Sequence, residues 1–177
     1  MKKLLFLAMV LLPIAGCSTK NEVQKPIEDA KPILLTPAQQ KRVGQDNAFS
    51  FELMKRTLEK SDEQNVFISP LSVSLCLGMV WNGAVGETKS QMENALQMNA
   101  LSSDEINDYY KLMQTTLPAI DHATKLNIAN SIWYSEGFVV KPDFQKINAD
   151  YFNATSSGLD FASPNALNVI NGWAKEK

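Results

Sequence analysis

The amino-acid sequence predicts an α+β fold whose β-sheet is incomplete within these 177 residues. Six segments carry apolar residues at the spacing of helices, whereas only three short segments have the β-branched and aromatic residues typical of strands. A helix separates each pair of predicted strands, so no hairpin is available. Three strands alone would leave edges unpaired, and we expect the rest of the sheet to be missing from this sequence. The alternative is a helical bundle with loosely attached strands.

The first helix and the first strand are predicted before residue 70. Thr36-Pro37 is an N-cap followed by proline, which indicates a helix that runs to about Glu59. The apolar residues of this helix fall on two faces, so we expect both faces to be covered. Val66, Phe67 and Ile68 then predict a short strand over 65–69.

The second helix is the most apolar segment of the chain. Pro70 ends the preceding strand and can open a helix capped by Ser69, which continues over 71–82 with apolar residues on every side. This segment is too short to span a membrane, so we expect it to be buried in the core. Cys76 should accordingly be an inert, buried side chain.

The remaining elements follow from local signals along the chain. After a turn at Gly83 and Gly86 we expect a helix over 87–96, and then a helix opened by a capping box at 102–105 that ends near Pro118. A long strand over 125–134 and a helix from Pro142 to about Tyr151 come next. The last two elements are a strand over 158–161 and a helix capped by Ser163-Pro164.

Residues 1–16 have the pattern of a bacterial lipoprotein signal peptide. Lys2 and Lys3 precede an apolar run over 4–12 that is too short to cross a bilayer. The Ile-Ala-Gly-Cys segment that ends at Cys17 resembles a lipobox, in which the cysteine thiol takes the lipid; an ordinary cysteine near a cleavage site is the alternative. We expect a lipidated tether over 17–35 and a folded domain over 36–177. The protein is then expected to be a cell-envelope lipoprotein at the outer membrane or cell surface, attached to the membrane through the lipid on Cys17.

Composition excludes several classes of function. The formal net charge is −2, so the chain has no basic footprint for nucleic acid, and we expect no nucleic-acid partner. One His and two Cys are too few for a structural zinc site, and we expect neither a metal nor another cofactor. No nucleophile elbow, Walker loop or dinucleotide fingerprint is present, so we expect no enzyme. His122, the single histidine, lies in a polar turn and is interpreted as a solvated residue rather than a catalytic base.

A set of residues spread from about residue 40 to the end carries a family resemblance. Its members are Asn65, Phe67, Ser69, Pro70, Ser72, Gly83, Gly86, Thr88, Asn130, Trp133, Phe161 and Asn171. In this order and spacing they resemble the serpins, a family of inhibitors of serine and some cysteine proteases. The resemblance implies the N-terminal portion of the serpin fold, helices A to F with a few strands of its large central sheet.

The resemblance also implies roles for individual residues. The helix over 71–82 would be helix B, which lies behind the central sheet in the region called the shutter. Ser69, Pro70 and Ser72 would belong to that region, and the two serine hydroxyls would help to hold it closed. For Ser69 the alternative is that it only caps the helix.

The implied activity is inhibition by a conformational change. A target serine or cysteine protease attacks an exposed reactive loop, the loop inserts into the sheet as a new strand, and the protease stays covalently trapped. Serpins are considerably longer than this chain, so the reactive bond would lie beyond Lys177, and we expect these residues alone not to inhibit. The complete protein should be a monomer. The alternative is a non-inhibitory, lipid-anchored binding protein of the same fold.

Overall fold

The computed structural model describes residues 32–121 and 123–177. In these residues the elements are α1 (Pro37–Lys60), α2 (Pro70–Trp81), α3 (Gly86–Ala95), α4 (Ser103–Thr116), a 3-10 turn (Leu117–Ala119), β1 (Asn130–Ser135), α5 (Pro142–Phe152), β2 (Ala154–Leu159) and α6 (Ala166–Glu176). A helix is present in each of the six predicted places. The predicted signal peptide and Cys17 lie outside the described residues.

Local capping explains where the helices begin. Thr36 and Ser102 each form a complete capping box, with Gln39 and Glu105 as the respective third helical residues, and Ser69 caps α2. These starts agree with the sequence prediction. The predicted Ser163-Pro164 cap of α6 is wrong. The Ser163 carbonyl accepts the Ala166 N–H in a turn, so the helix begins at Ala166 without a side-chain cap.

The two strands form one parallel pair. Asn130 lies opposite Ala154 and Ser135 lies opposite Leu159, and α5 makes the crossover between the strands. Parallel neighbours need such a crossover because the chain must return to the same end of the sheet. No hairpin is involved, as expected from the order of the predicted elements.

Three strand predictions differ from the structure. Residues 65–69 and 125–129 are not strands, because no described segment lies beside them to complete a hydrogen-bonded ladder. The strand predicted over 158–161 begins earlier, at Ala154, and ends at Leu159. Asp160 instead starts a turn in which its carboxylate accepts the Ala162 N–H at 2.9 Å. Phe161 therefore lies outside the sheet.

The core lies among α1, α2, α4 and α5. Its buried members include Phe49, Leu75, Met79, Trp81, Leu96, Ile106, Tyr109, Tyr110, Met113 and Phe152. Gly78 lets α2 approach this core closely, since a Cβ at that position would lie 2.7 Å from the Tyr110 ring. The expectation that α1 is covered on two faces is wrong for the described residues. Phe49 is buried, but Phe51 is 77% exposed and Leu58 is 55% exposed.

Helix α2 is buried on one side and open on the other. Ser74, Leu75, Gly78, Met79 and Trp81 are its buried residues. Cys76 is exposed, so the prediction of an inert core cysteine is wrong. A helical pattern that is apolar all round cannot show which side has a neighbour, and the described residues supply a neighbour for only part of this helix.

Candidate functional site

A groove lies beside the exposed side of α2. Its volume is about 390 Å³. One wall is formed by α2, the other by the chain entering β1, and Trp173 of α6 completes it. The lining residues from the two walls are Ser69, Leu71, Ser72, Leu75, Cys76, Met79 and Leu126, Asn127, Ile128, Ala129, Asn130, Ser131.

Two of the predicted site residues meet at the start of this groove. The Ser69 and Ser72 hydroxyl oxygens lie 2.8 Å apart, and the Ser69 hydroxyl also accepts the Ser72 N–H at 3.4 Å. Pro70 at the first helical position positions the pair, because its fixed φ suits the first turn. Both serines are exposed, and within the described residues their hydroxyls bond only to each other and to the helix start. The N-cap role of Ser69 is thus observed, and any further role stays a prediction.

Asn130 joins the opposite wall of the groove to the helical layer. Its side-chain amide donates to Gln114 Oε1 at 2.7 Å and to the Phe152 carbonyl at 2.8 Å. Gln114 in turn donates to the Tyr151 carbonyl at 2.9 Å. These bonds hold the beginning of β1 against α4 and the end of α5. They give Asn130 a positioning role that its place in the sequence did not reveal.

Trp173, which lines the groove, forms an aromatic pair with Trp133 of β1. The Trp133 and Trp173 rings meet edge to face with centroids 6.4 Å apart, and the Trp133 indole N–H donates to the Ser131 hydroxyl at 2.9 Å. Such an edge-to-face contact is a favourable aromatic geometry. It docks α6 against β1 near the groove.

The edge of β1 that faces away from β2 has no strand beside it among the described residues, and Asn130 and Ser131 at the start of β1 line the groove. The strand contains no charged residue and no proline, which are the usual protections of an exposed edge. Backbone N–H and C=O groups along this edge are therefore available to another strand.

The other residues of the family signature do not converge on the groove. Phe67 is 99% exposed, and Asn65, Thr88, Phe161 and Asn171 are also exposed.

For two of the signature glycines the structure shows why a larger residue is disfavoured at the position. Gly86 begins α3 with a φ of +58°, which favours glycine. Gly83 packs against Phe144, whose ring a Cβ would meet at 2.9 Å.

A buried polar cluster on the closed side of α2 was not anticipated from the sequence. Arg42 is fully buried, and its guanidinium donates to Asp46 Oδ1 at 2.6 Å, to the Leu96 carbonyl at 3.1 Å and to the Tyr110 hydroxyl at 3.2 Å. The Ser74 hydroxyl lies 3.1 Å from the same Asp46 oxygen and 2.9 Å from the Tyr110 hydroxyl. The cluster joins α1, α2 and α4 around one compensated charge.

The chemistry of this cluster is structural rather than catalytic. Burial raises the pKa of Tyr110, and burial together with the nearby Asp46 carboxylate raises the pKa of Tyr109. Both phenols therefore stay protonated to a higher pH than an ordinary tyrosine. The Arg42 guanidinium carbon lies 5.7 Å from the centre of each ring, which adds cation–π attraction. In the sequence, the spacing of four residues between Arg42 and Asp46 places the two charges on the same face of a helix, which favours an ion pair.

The described residues hold no group of three or more His, Cys, Asp and Glu side chains able to bind a metal ion. No helix among them is long and apolar enough to cross a bilayer. His122 and Cys17 lie outside the described residues, so the interpretations placed on them stay predictions.

Comparison with known proteins gives a consistent result. Residues 44–177 match the family model described as serpin (serine protease inhibitor). Human neuroserpin is 29% identical over 127 residues, which cover 71% of this chain and 31% of that protein. The leukocyte elastase inhibitor of Xenopus tropicalis is 33% identical over 135 residues, which cover 73% of this chain and 34% of that protein.

Solved structures give the same picture. The thermophilic serpin tengpin in its latent state superimposes with a TM-score of 0.69 at 36% identity, covering 83% of this chain and 38% of that chain. The chain thus spans about a third of the length of the relatives it matches.

Proposed function

The chain belongs to the serpin family, and from this premise we propose that it is the N-terminal part of an inhibitor of serine or cysteine endopeptidases. Its residues would supply the helical layer and the first strands of a sheet that a longer polypeptide completes. The matched family is described as serine protease inhibitors, and one of the similar relatives is named for inhibition of leukocyte elastase.

The observation that carries this proposal is the unpaired edge of β1 beside the groove. A serpin inhibits by adding its cleaved reactive loop to its sheet as a strand. That event needs a sheet that accepts strands and a helical layer over which strands can pass. The uncharged edge of β1 and the groove between it and α2 supply both features.

The free energy for trapping a protease would come from completion of the sheet. A strained loop that becomes a central strand gains a full ladder of backbone hydrogen bonds and buries apolar side chains. Cys76 and Leu126 line the groove, are exposed among the described residues, and would be covered by such a sheet. The 177-residue chain has two strands in its described residues, so we expect it not to trap a protease by itself.

Ser69 and Ser72 would act as a latch on this groove. Their hydroxyls lie 2.8 Å apart on the groove side of α2, where they could donate to the backbone of a covering strand. After the bond that joins the pair, one O–H proton is left to donate, because each hydroxyl has a single proton and one of them is used within the pair. A covering strand would thereby be held until insertion displaces it.

The cellular setting of the proposal is the bacterial envelope. The pattern of residues 1–17 supports lipid attachment at Cys17, which would place the folded domain at the membrane surface on a short tether. An inhibitor in this position would face proteases arriving from outside the cell. Growth with radiolabelled palmitate would test the anchor, since Cys17→Ala should abolish label incorporation.

The decisive experiment reads the native gene in frame beyond codon 177 and expresses the whole product. The product and the 177-residue chain are each incubated with trypsin-, chymotrypsin-, elastase- and papain-type proteases. We expect an SDS-resistant complex between the longer product and at least one protease, and none with the 177-residue chain.

Two results would contradict the proposal. An immediate stop codon would remove the reactive loop, and a longer product that proteases cleave without becoming trapped would be a substrate. Either result would favour the non-inhibitory, lipid-anchored binding protein. Ser69→Ala and Ser72→Ala in the longer product test the latch separately, because they should change the yield of complex without changing the protease that is recognised.

A further inference from the structure

The chain contains two Asn-Gly dipeptides, Asn82-Gly83 and Asn171-Gly172, and the structure surrounds them differently. Asn-Gly is chemically fragile because glycine has no Cβ to hinder its backbone nitrogen from attacking the preceding side-chain amide. The two dipeptides therefore have the same intrinsic reactivity in different settings, and they can be compared within one molecule.

Asn82 is held in a reciprocal amide pair between α2 and α4. Its Nδ2 donates to Asn107 Oδ1 at 2.9 Å, and Asn107 Nδ2 donates back to Asn82 Oδ1 at 3.1 Å. Asn82 Nδ2 also donates to the Gly78 carbonyl at 3.2 Å. Asn107 is 4% exposed, so the pair is shielded from water on the α4 side.

The backbone next to Asn82 is also occupied. The Gly83 N–H, whose nitrogen would be the nucleophile, donates to the Val80 carbonyl at 2.9 Å. Asn82 has a ψ of −19°, a helical value at which its side-chain carbon and the Gly83 nitrogen are not aligned for ring closure. Reaction requires that both the amide pair and this turn open together.

The side chain of Asn171 has no comparable restraint. It is exposed on α6, and its side chain makes no hydrogen bond within residues 32–121 and 123–177. A Cβ at Gly172 would meet nothing within 4 Å, so the surroundings of the dipeptide are open. Only the helical backbone of α6 opposes reaction there.

We propose that Asn82 is a deamidation site that Asn107 keeps closed, so that separation of α4 from the end of α2 converts Asn82 irreversibly to an acidic residue. The fraction of Asn82 converted would report how much time this interface has spent open. Its reaction is independent of protease inhibition and of the proposed function.

The reaction needs only water. Base removes the Gly83 N–H proton, and the nitrogen forms a bond to Asn82 Cγ. The bond from Cγ to the amide nitrogen then breaks, and that nitrogen takes up protons and leaves as ammonia. Water opens the resulting cyclic imide at either carbonyl, which gives aspartate or isoaspartate.

The product would not fit the original site. A carboxylate at position 82 cannot donate to the Gly78 carbonyl or to Asn107 Oδ1, and it would bring negative charge against both oxygens. Isoaspartate would in addition lengthen the backbone at the end of α2. Closure of the interface would therefore be weakened after the first reaction.

The test follows both dipeptides by peptide mapping and mass spectrometry while the purified chain is incubated in mildly alkaline buffer, with and without urea. In urea the two sites should react at about equal rates, since only the intrinsic reactivity remains. In the native chain Asn171 should react at least about tenfold faster than Asn82, because reaction at Asn82 requires the loss of several hydrogen bonds.

Two variants isolate the contribution of Asn107. Asn107→Leu should raise the rate at Asn82 by about tenfold and leave the rate at Asn171 unchanged. Gln114→Leu is the matched control, because it removes a polar bond from the same helix without touching Asn82. It should leave the ratio of the two rates unchanged.

The proposal is overturned if native Asn82 reacts as fast as Asn171. It is also overturned if Asn107→Leu, folded by circular dichroism, reacts at the wild-type rate, or if Gln114→Leu accelerates Asn82 equally. Should Asn107→Leu fail to fold, the native and urea rates of the wild-type chain decide the outcome.

Discussion

The two sides of α2 differ in how far they are buried. On the side of Ser74 and Gly78, α1 and α4 pack closely and a charged network of side chains fills the interface. On the side of Ser72 and Cys76, a groove of about 390 Å³ remains and the adjacent strand has a free edge.

The difference shows that the described residues supply all the packing partners of the closed side. Every member of the Arg42 cluster comes from residues 42–110, whereas no described segment covers the groove. Substitutions on the closed side should therefore reduce stability strongly, and substitutions on the open side weakly. The following predictions test that contrast, from the largest expected effect to the smallest.

Removal of Arg42 should have the largest effect. Arg42→Met leaves the Asp46 carboxylate without its buried counter-charge, and we expect the free energy of unfolding to fall by about 3–5 kcal/mol. Urea denaturation monitored by circular dichroism measures the change. Arg56→Met is the matched control. Its pair with Glu52 has the same spacing but is exposed, so the loss should stay within about 0.5 kcal/mol. Equal losses in the two variants would show that the buried Arg42 pair contributes no more to the free energy of unfolding than the exposed Arg56 pair.

The second prediction concerns packing on the closed side. Gly78→Ala would place a methyl group 2.7 Å from the Tyr110 ring and 3.1 Å from Phe152, and we expect a loss of about 1–3 kcal/mol in urea denaturation. Gly44→Ala, where a Cβ meets nothing within 4 Å, should instead stabilise α1 by about 0.5–1 kcal/mol.

An open-side variant completes this comparison. Cys76→Leu adds volume on the groove side of α2, and we expect a change within about 0.5 kcal/mol. A loss as large as that of Gly78→Ala would mean that the groove is filled in solution.

Apart from the control and open-side variants, the smallest predicted loss is at the start of α2. Ser69→Ala removes the N-cap bond and should cost about 1 kcal/mol in the same measurement. Ser72→Ala removes only an exposed hydroxyl contact, so its effect should stay within about 0.5 kcal/mol. If Ser72→Ala is the more damaging change in this chain, its hydroxyl must have a partner other than Ser69.

Much of the helical layer could be predicted because its signals are local. Thr36 with Gln39 and Ser102 with Glu105 form capping boxes whose partners lie three residues apart, so the bond is visible in the sequence. Proline at the first position of α2 and α5 is equally local.

The sheet was predicted less well because strand formation depends on a distant neighbour. In β2 the residues Thr155, Ser156 and Ser157 are small and polar, and they form a strand only because β1 lies beside them. The apolar segment over 65–69 has strong strand character and no strand, since no described segment lies beside it.

The candidate site was predicted in part. The resemblance to serpins placed Ser69, Pro70 and Ser72 in one region. Ser69 and Ser72 line the groove, and their role in holding that region closed stays a prediction. Asn130 was named without a role, and its bonds to Gln114 and Phe152 appear only when α4, α5 and β1 meet. The exposed position of Cys76 was missed for the same reason.

By itself the amino-acid sequence determined where α1, α2, α4 and α5 begin, because caps and prolines act on backbone groups within one turn. It also determined the family, through residues that keep their order and spacing. Tertiary structure alone decided which side of α2 is buried, how far each strand extends, and how Arg42 is compensated. Burial, strand pairing and charge compensation depend on groups that are far apart in sequence, and their contacts exist only after the chain has folded.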